Sequence, residues 1–282
     1  MAQLLTSKDI RAISTGLGIK PTKKWGQNFV VDANVVRRIV TTAGVSESDD
    51  VLEVGPGLGS LTAALLEVAA SVTAVEIDPK LALALPTTLE ARTSPVEFGK
   101  LSVVQTDAAH MTSEQLPTEP TALVANLPYN VAVPVVLHAL ETFPTLRRGL
   151  VMVQSEVADR LTASPGSKIY GSPSVKMAWY ARARRAGAIS SQVFWPVPKV
   201  ASGLVSFERI TSPDADRKEV FAAVDAAFGQ RRKMLRQALR DWAGSVSEAE
   251  RIMDLAGIDS TRRGESLTIE EFIALSRAKK ES

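Results

Sequence analysis

The chain has 282 residues, of which 45% are hydrophobic and 23% are charged, a balance that excludes a disordered or fibrous protein. It has no cysteine, which excludes disulfide bonds and thiolate metal sites, and with only two histidines no metal site is predicted. The net charge is only +2, but acidic residues concentrate in 51–125 and basic residues in 217–240, which suggests a polyanionic partner bound away from an acidic region.

The N-terminal segment carries a charge as early as Lys8 and lacks the apolar stretch of a signal peptide. The longest uncharged stretch, 120–140, is interrupted by asparagines and prolines. It is therefore predicted to form a strand, a loop and a helix instead of a membrane span. We expect a cytoplasmic protein that has no contact with a membrane.

From residue 51 onward, short valine-rich runs alternate with amphipathic stretches. The predicted strands are 51–55, 71–77, 101–106, 121–126, 149–154 and, later, 202–210. Helical spacing is found at 58–69, 79–92, 130–142 and 173–184. This alternation predicts an α/β fold with a mostly parallel sheet between helices. Ligands in such folds bind beyond the carboxyl ends of the strands.

The C-terminal part of the chain carries helical patterns only. The two prolines in 193–200 predict a loop, and the polar segment 211–218 is the expected linker. The helices predicted after the linker are 217–242, 247–256 and 268–279. We therefore expect two domains, which are an α/β domain with an N-terminal extension over 1–210 and an all-α domain over 211–282.

A glycine-rich turn follows the first strand, with Gly55, Gly57 and Gly59 in a G-x-G-x-G spacing. Glycines allow a tight turn and a close approach of a ligand to the backbone, although a structural turn has the same pattern. Glu76 ends the second strand, where a carboxylate can accept hydrogen bonds from both ribose hydroxyls. Asp107 ends the third strand and either accepts the amine of an adenine ring or caps a helix. Together these residues predict a cofactor that contains adenosine.

The most specific motif is Asn126-Leu127-Pro128-Tyr129-Asn130, at the end of the fourth strand. The side-chain carbonyl of Asn126 and a backbone carbonyl beside Pro128 can accept the two hydrogens of an adenine amine. This would localise the nitrogen lone pair and direct it at a methyl sulfonium. Pro128 stiffens the loop, and Tyr129 offers a face on which a base can stack. The alternative is a plain turn between a strand and a helix.

Motifs along nearly the whole chain resemble those of the small-subunit ribosomal RNA adenine N6,N6-dimethyltransferases. These are the bacterial kasugamycin-sensitivity methyltransferases, which are related to the erythromycin-resistance methyltransferases. The matching segments are KKWGQNFVVD (23–32), EVGPGLGSLT (53–62), VEIDP (75–79), QTDA (105–108), NLPYN (126–130), VQSEVADRL (153–161), YGSPSV (170–175), PVPKVASG (196–203), FGQRRKMLR (228–236) and ESLTIEEFIALS (265–276).

The resemblance implies a Rossmann-like class I methyltransferase domain with a seven-stranded, mostly parallel sheet, and a small all-α domain at the C-terminus. It also implies S-adenosyl-L-methionine as the cofactor. The residues expected to contact it are Asn28, Val30, Gly55, Gly57, Glu76, Asp107 and Asn126. Phe194 falls where the family has an aromatic residue that would sandwich the target base opposite Tyr129.

The resemblance further implies the substrate, which is two neighbouring adenosines in a hairpin loop near the 3′ end of the 16S RNA. Each adenosine would receive two methyl groups. The substrate particle would be an immature 30S subunit, and the enzyme would have a role in subunit maturation. The expected oligomeric state is a monomer. Three positions depart from the family pattern: Val197 replaces a proline, Ala201 an acidic residue, and Trp25 a phenylalanine or leucine. They concern the loop on the base side and leave the cofactor residues intact.

A basic stretch within the predicted helix 217–242 is the expected RNA contact. Arg232, Arg236 and Arg240 recur every four residues and would form one ridge, flanked by Arg231 and Lys233. The alternative is a solvated helix face, but no acidic residue between Asp225 and Asp241 is available to pair with these cations. The ridge is therefore expected to contact RNA phosphates. Lys23 and Lys24 are further candidates.

Three other functions share some of these features. A nicotinamide-dependent dehydrogenase has a similar turn, but its glycine spacing differs and it does not explain the motif at 126–130. A methyltransferase could instead act on DNA adenine or on another ribosomal RNA site. A non-enzymatic assembly factor could retain the fold, although the presence of Glu76, Asp107, Asn126 and Tyr129 favours an active enzyme.

Overall fold

The structure, a computed structural model, describes residues 2–19 and 27–281. The helices are α1 (Ser7–Gly16), α2 (Ala33–Ala43), α3 (Ser60–Val68), α4 (Pro79–Glu90), α5 (Pro95–Phe98), α6 (Ala132–Thr142), α7 (Ser155–Leu161), α8 (Ser172–Tyr180), α9 (Arg217–Gly229), α10 (Leu235–Ala238), α11 (Arg240–Ala243), α12 (Val246–Leu255) and α13 (Ile269–Glu281). The strands are β1 (Phe29–Val30), β2 (Asp50–Val54), β3 (Ser71–Glu76), β4 (Leu101–Gln105), β5 (Ala122–Asn126), β6 (Arg148–Gln154), β7 (Ala181–Ile189), β8 (Phe194–Trp195) and β9 (Ser202–Arg209). Within the described ranges, no helix has both the length and the apolar character that crossing a membrane requires.

Seven of the strands form one sheet in the order β4-β3-β2-β5-β6-β9-β7. The pairs from β4 through β6 are parallel, and β9 runs antiparallel to β6. The predicted α/β fold with a mostly parallel sheet is confirmed. The valine-rich strands are buried along most of their length, as strands covered on both faces must be, and α3 is buried from Ser60 to Leu66.

Strand β7 is not predicted by the sequence pattern, which extends the preceding helix to residue 184. Helix α8 ends at Tyr180, and β7 follows directly as an edge strand. Its sequence, ARARRAGAI, is rich in arginine and alanine, which have little preference for strands. An edge position tolerates such residues because charged, exposed side chains protect the edge from pairing with another chain. The two-stranded antiparallel pair β1–β8 was also not predicted.

The chain divides into two compact units. One comprises the chain up to residue 158 together with 184–209, and the other comprises 159–183 and the chain from 210 onward. This division differs from the predicted domains over 1–210 and 211–282, because 159–183 packs against the C-terminal helices. The ring of Trp179 lies edge-on to Phe221 with a centroid distance of 5.9 Å, and the Tyr170 hydroxyl donates to the Leu267 carbonyl at 2.8 Å.

The predicted continuous helix over 217–242 is broken in the structure, and this prediction was wrong. Helix α9 ends at Gly229, a residue that favours a helix end. Beyond it the backbone pairs with a distant turn: Leu235 N donates to Arg262 O at 2.8 Å, and Arg236 N donates to Ser260 O at 3.2 Å. These bonds divert the chain into two separate single-turn helices, α10 and α11.

Candidate active site

A pocket in the first unit is lined by the segments that follow β2, β3, β4 and β5, together with residues 27–30. In a parallel sheet the carboxyl ends of the strands lie at one edge, so these segments are brought together by the topology. Nine of the predicted site residues line this one pocket: Asn28, Val30, Gly55, Gly57, Glu76, Asp107, Asn126, Pro128 and Tyr129.

The glycine-rich turn requires its glycines for conformation and for space. Gly55 and Gly57 have φ values of 71° and 58°, in the left-handed region that other residues rarely adopt. A Cβ atom on Gly57 would lie 2.8 Å from Cε1 of Phe29, which also lines the pocket. At Gly55 the nearest atom to such a Cβ is Cδ of Pro128, at 3.6 Å. The turn therefore packs directly against the loop that contains Pro128.

Glu76 holds the glycine turn through its carboxylate. One oxygen accepts from the backbone N–H of Gly57 at 3.2 Å, and the other accepts from that of Asp78 at 2.9 Å. The side chain is buried, which raises its pKa, while the two backbone bonds act in the opposite direction. The sequence motif predicts a ligand contact for this carboxylate, but it does not reveal that the same carboxylate also braces the turn.

Glu53 is a pocket residue that was missing from the predicted site residues. It is 1% exposed, and burial, reinforced by the charge of Glu76, raises its pKa to about 8. Its Oε2 atom has no hydrogen-bond partner within residues 2–19 and 27–281. The signal in the sequence is a carboxylate in an otherwise apolar strand that leads into the glycine turn.

Asn126 is oriented by a hydrogen bond from its Nδ2 to the carbonyl of Asn28, at 3.0 Å. A carbonyl can only accept, so the amide nitrogen faces Asn28 and the amide oxygen is left to accept a hydrogen bond from a ligand. The next residue, Leu127, donates its backbone N–H to Met152 O at 3.0 Å. The loop that begins at Asn126 is thus fixed to strand β6.

Asp107 is exposed at the mouth of the pocket. Its Oδ1 accepts the N–H of Ala109 at 2.9 Å, and its Oδ2 lies 3.3 Å from Nδ1 of His110. The geometry of Asp107 is compatible with both predicted roles. It accepts a local backbone amide, as a helix cap does, and it lines the pocket, where it could accept the amine of an adenine ring.

Phe194 is placed differently from the expectation that it would sandwich a base opposite Tyr129. It is 2% exposed, pairs with Val30 in the β1–β8 sheet, and belongs to the hydrophobic core instead of the pocket lining. Tyr129 lines the pocket and is half-buried, and this burial raises the pKa of its phenol. The neighbour of Phe194, Trp195, stacks on Phe29 with a centroid distance of 6.3 Å.

The three departures from the family pattern lie in different environments. Val197 is 53% exposed, whereas the carbonyl of Ala201 accepts the N–H of Ser155 at 3.0 Å. Trp25 lies outside the described residues. Neither Val197 nor Ala201 lines the pocket.

The basic residues of the stretch 231–240 lie in the second unit and do not form one ridge. Arg231 donates to Glu265 at 2.9 Å, Arg236 lies 3.5 Å from Glu250, and Arg240 lies 2.9 Å from Asp241. The expectation that these cations lack acidic partners was therefore wrong. The tertiary fold supplies Glu250 and Glu265, while Asp241 is the sequence neighbour of Arg240.

Two exposed cations differ from the others. Arg232 and Lys233 lie in the turn after α9, and neither makes an ion pair with any residue that the structure describes. Lys23 and Lys24, the further candidates, lie outside the described residues. Within the described ranges, no group of three or more histidine, aspartate and glutamate side chains could hold a metal ion.

Known proteins resemble this chain over most of its length. The family described as "Ribosomal RNA adenine dimethylase" matches residues 18–277. "Ribosomal RNA small subunit methyltransferase A" of Rhodococcus erythropolis is 58% identical over 279 residues, covering 97% of this chain and 93% of that protein. The protein of the same name from Streptomyces avermitilis is 60% identical over 273 residues, covering 95% and 92%.

Solved structures resemble the fold. A dimethyladenosine transferase from Plasmodium falciparum has a TM-score of 0.76 at 20% identity, covering 89% of this chain and 96% of that one. The 23S rRNA methyltransferase ErmE has a TM-score of 0.66 at 26% identity, covering 89% and 99%.

Proposed function

The chain belongs to the ribosomal RNA adenine dimethylase family, and from this premise we propose that it dimethylates the N6 amines of two adjacent adenosines in small-subunit ribosomal RNA. The two adenosines lie in a hairpin loop near the 3′ end of the 16S RNA. The methyl donor is S-adenosyl-L-methionine, and the substrate particle is an immature 30S subunit. The protein acts as a monomer and contributes to subunit biogenesis.

The pocket residues fit S-adenosyl-L-methionine. A Cβ atom at Gly57 would collide with the ring of Phe29, so the glycine lets these two pocket residues pack together, and the Glu76 carboxylate retains acceptor capacity for ribose hydroxyls beyond its two backbone bonds. The buried Oε2 of Glu53 would accept a donor such as the cofactor's ammonium group. Asn28, Val30, Gly55 and Asp107 complete the set of residues proposed to hold the cofactor. When bound, this cofactor supplies an electrophilic methyl group on a sulfonium.

The orientation of Asn126 is the observation that carries the proposed chemistry. Since Nδ2 is held by Asn28, the side-chain oxygen is directed to a hydrogen-bond donor, and the amine of an adenine is such a donor. Accepting that hydrogen opposes the delocalisation of the amine lone pair into the ring and makes the nitrogen a better nucleophile. A backbone carbonyl beside Pro128 accepts the second hydrogen. Because the group is already oriented, no reorganisation is needed during the reaction.

The target base is held by stacking on Tyr129, whose ring lines the same pocket. The helical second unit, corresponding to the predicted RNA-binding domain, contacts the ribosomal particle through phosphate groups. Arg232 and Lys233 are the strongest candidates for these contacts, since they are exposed and have no carboxylate partner among the described residues. Arg231, Arg236 and Arg240 would need to leave their ion pairs to contribute equally.

The proposal is tested by incubating the protein with undermethylated small subunits and labelled S-adenosyl-L-methionine, and then mapping the modified adenosines by mass spectrometry. We expect dimethyladenosine at two adjacent positions near the 3′ end of the 16S RNA. Methylation of large-subunit RNA or of DNA adenine would overturn the substrate. Titration with S-adenosylhomocysteine and with NADH tests the cofactor separately, and only the former is expected to bind.

A further inference from the structure

The hydroxyl of Tyr129 contacts a buried serine that lies in the matching segment 196–203 but was not among the predicted site residues. The Tyr129 oxygen lies 2.8 Å from Oγ of Ser202, a residue 73 positions further along the chain. Ser202 is 0% exposed, whereas Tyr129 is half-buried and lines the pocket. The hydrogen bond therefore joins the wall of the pocket to the protein core.

Ser202 is held in place by the sheet. It is the first residue of β9 and pairs with Gln154, the last residue of β6, in the antiparallel register. The residue before it, Ala201, accepts the backbone N–H of Ser155 at 3.0 Å. The strand pairing and this bond fix the backbone at Ser202, so the Cβ atom that carries its hydroxyl has a fixed position.

The loop that carries Tyr129 is therefore fastened at two places. At its start, Leu127 N is bonded to Met152 O of β6, and at the tip the Tyr129 hydroxyl is bonded to Ser202 of β9. A tyrosine ring that is attached only through its Cβ can swing about two side-chain torsions. A hydrogen bond at the far end of the ring removes most of that freedom.

We propose that Ser202 is a positioning residue that holds the ring of Tyr129 as a fixed platform for the target adenine. This inference rests on the proposed function, because it concerns the placement of the base that is methylated. The stacking face belongs to Tyr129, and Ser202 acts only through the tyrosine hydroxyl. A base stacked on a fixed ring presents its amine to Asn126 in one orientation, which a mobile ring does not ensure.

A purely structural role for the same hydrogen bond makes a different prediction. Removing either hydroxyl would leave its partner poorly satisfied and lower the melting temperature, with little effect on the folded enzyme. A positioning role lowers the rate of methyl transfer in the folded enzyme at saturating RNA and leaves cofactor affinity unchanged. It also requires that the two hydroxyls act as one unit.

The test compares Ser202→Ala, Tyr129→Phe and the double variant in single-turnover methylation of undermethylated small subunits. Ser206→Ala is the matched control, since Ser206 lies on the same strand and its hydroxyl bonds Arg184 at 3.1 Å. Each single change should slow methyl transfer by roughly tenfold, as the loss of one buried hydrogen bond allows, and the double variant should be no slower. The affinity for S-adenosylhomocysteine and the rate of the control should match the parent.

Two results would overturn the inference. One is that both Ser202→Ala and Tyr129→Phe, which removes a single oxygen, transfer methyl groups at the rate of the parent. The other is a double variant in which the two losses multiply, because the hydroxyls would then act independently. A parent protein that fails to methylate small subunits contradicts the proposed function itself, whereas an active parent with unaffected variants contradicts only the role of Ser202.

Discussion

The pocket of the first unit and the basic segment 231–240 of the second unit differ in what determines the positions of their functional side chains. In the pocket, strand ends and left-handed glycines fix the backbone, and Glu76 and Asn126 are bonded to backbone groups. In the basic segment, the predicted arrangement required a helix that in fact ends at Gly229. Its arginines take their positions from carboxylates, two of which lie far away in the sequence.

This difference explains which sequence patterns are informative. A motif at the end of a buried strand is placed by the parallel sheet, whose topology follows from local hydrophobic patterns. A charged ridge on a helix forms only if the helix continues and if no carboxylate pairs with its cations. Tertiary contacts decide both conditions. Mutations in the pocket should therefore have large and specific effects, and mutations in the basic segment should have small and salt-dependent ones.

The largest effect is expected for Asn126→Ala. The variant loses the oriented acceptor for the adenine amine, so turnover should fall by at least roughly a hundredfold, while the affinity for S-adenosylmethionine changes little. Single-turnover methylation and calorimetry measure the two quantities. Asn34→Ala, which removes an exposed asparagine side chain from α2, is the control. Near-parental turnover of the Asn126 variant would show that the pocket does not act through this amide.

A smaller effect, on cofactor binding, is expected for Glu76→Ala. Loss of hydrogen bonds to a charged group should weaken binding of S-adenosylmethionine by roughly 1.5–3 kcal/mol. The variant should also melt at a lower temperature, because the Gly57 and Asp78 amides lose their acceptor. Glu76→Gln retains one acceptor oxygen and should be milder in both measurements. Unchanged affinity in a folded Glu76→Ala protein would exclude a direct contact with the cofactor.

Much of the fold and of the pocket could be predicted from the sequence, because buried parallel strands place the motifs at their ends. The strands from 51 to 154 and seven residues of the pocket lining follow from local patterns and from such motifs, whereas Asn28 and Val30 followed only from the family resemblance. The burial of Phe194 could not be predicted, because it depends on pairing between β1 and β8, two strands of two residues each. Glu53 was missed because its place between apolar strand residues indicates burial but not that it lines the pocket.

The buried carboxyl of Glu53 gives the stability of the protein a dependence on pH. Since its folded-state pKa is about 8, against an ordinary value of 4.5, the folded protein binds more protons than the unfolded chain between these values. The stability of the ligand-free protein should therefore fall as the pH rises from about 4.5 to about 8 and remain low above it. Glu53→Gln should remove this dependence and raise the melting temperature at pH 9 by a few degrees, but not at pH 4.

Calorimetric melting of the parent and Glu53→Gln across this pH range checks the expectation. Glu97→Gln is a suitable control, because Glu97 is only partly buried and its pKa is lowered by hydrogen bonds from Ser94. Above the ordinary pKa of a glutamate, Glu97→Gln should be less stable than the parent. This change in stability is opposite in sign to that expected for Glu53→Gln. Parallel melting curves for the parent and the Glu53 variant at every pH would mean that the buried carboxyl does not retain its proton.

The smallest effect is expected in the basic segment, where two pairs of cations should contribute differently to RNA binding. Arg232 and Lys233 are exposed and have no ion-pair partner in the described part of the chain, whereas Arg236 and Arg240 are paired with Glu250 and Asp241. A free cation gains a phosphate interaction without giving up another, while a paired one must first release its carboxylate.

Replacing Arg232 and Lys233 with glutamine should therefore flatten the log–log salt dependence of binding to small subunits by roughly 0.7–0.9 for each phosphate that is no longer neutralised. The Arg236→Gln, Arg240→Gln double variant removes the same charge and should change the slope less. Both variants should bind S-adenosylmethionine as the parent does. If the paired arginines dominate the slope instead, the RNA displaces their carboxylates, and the ridge predicted from the sequence forms only in the complex.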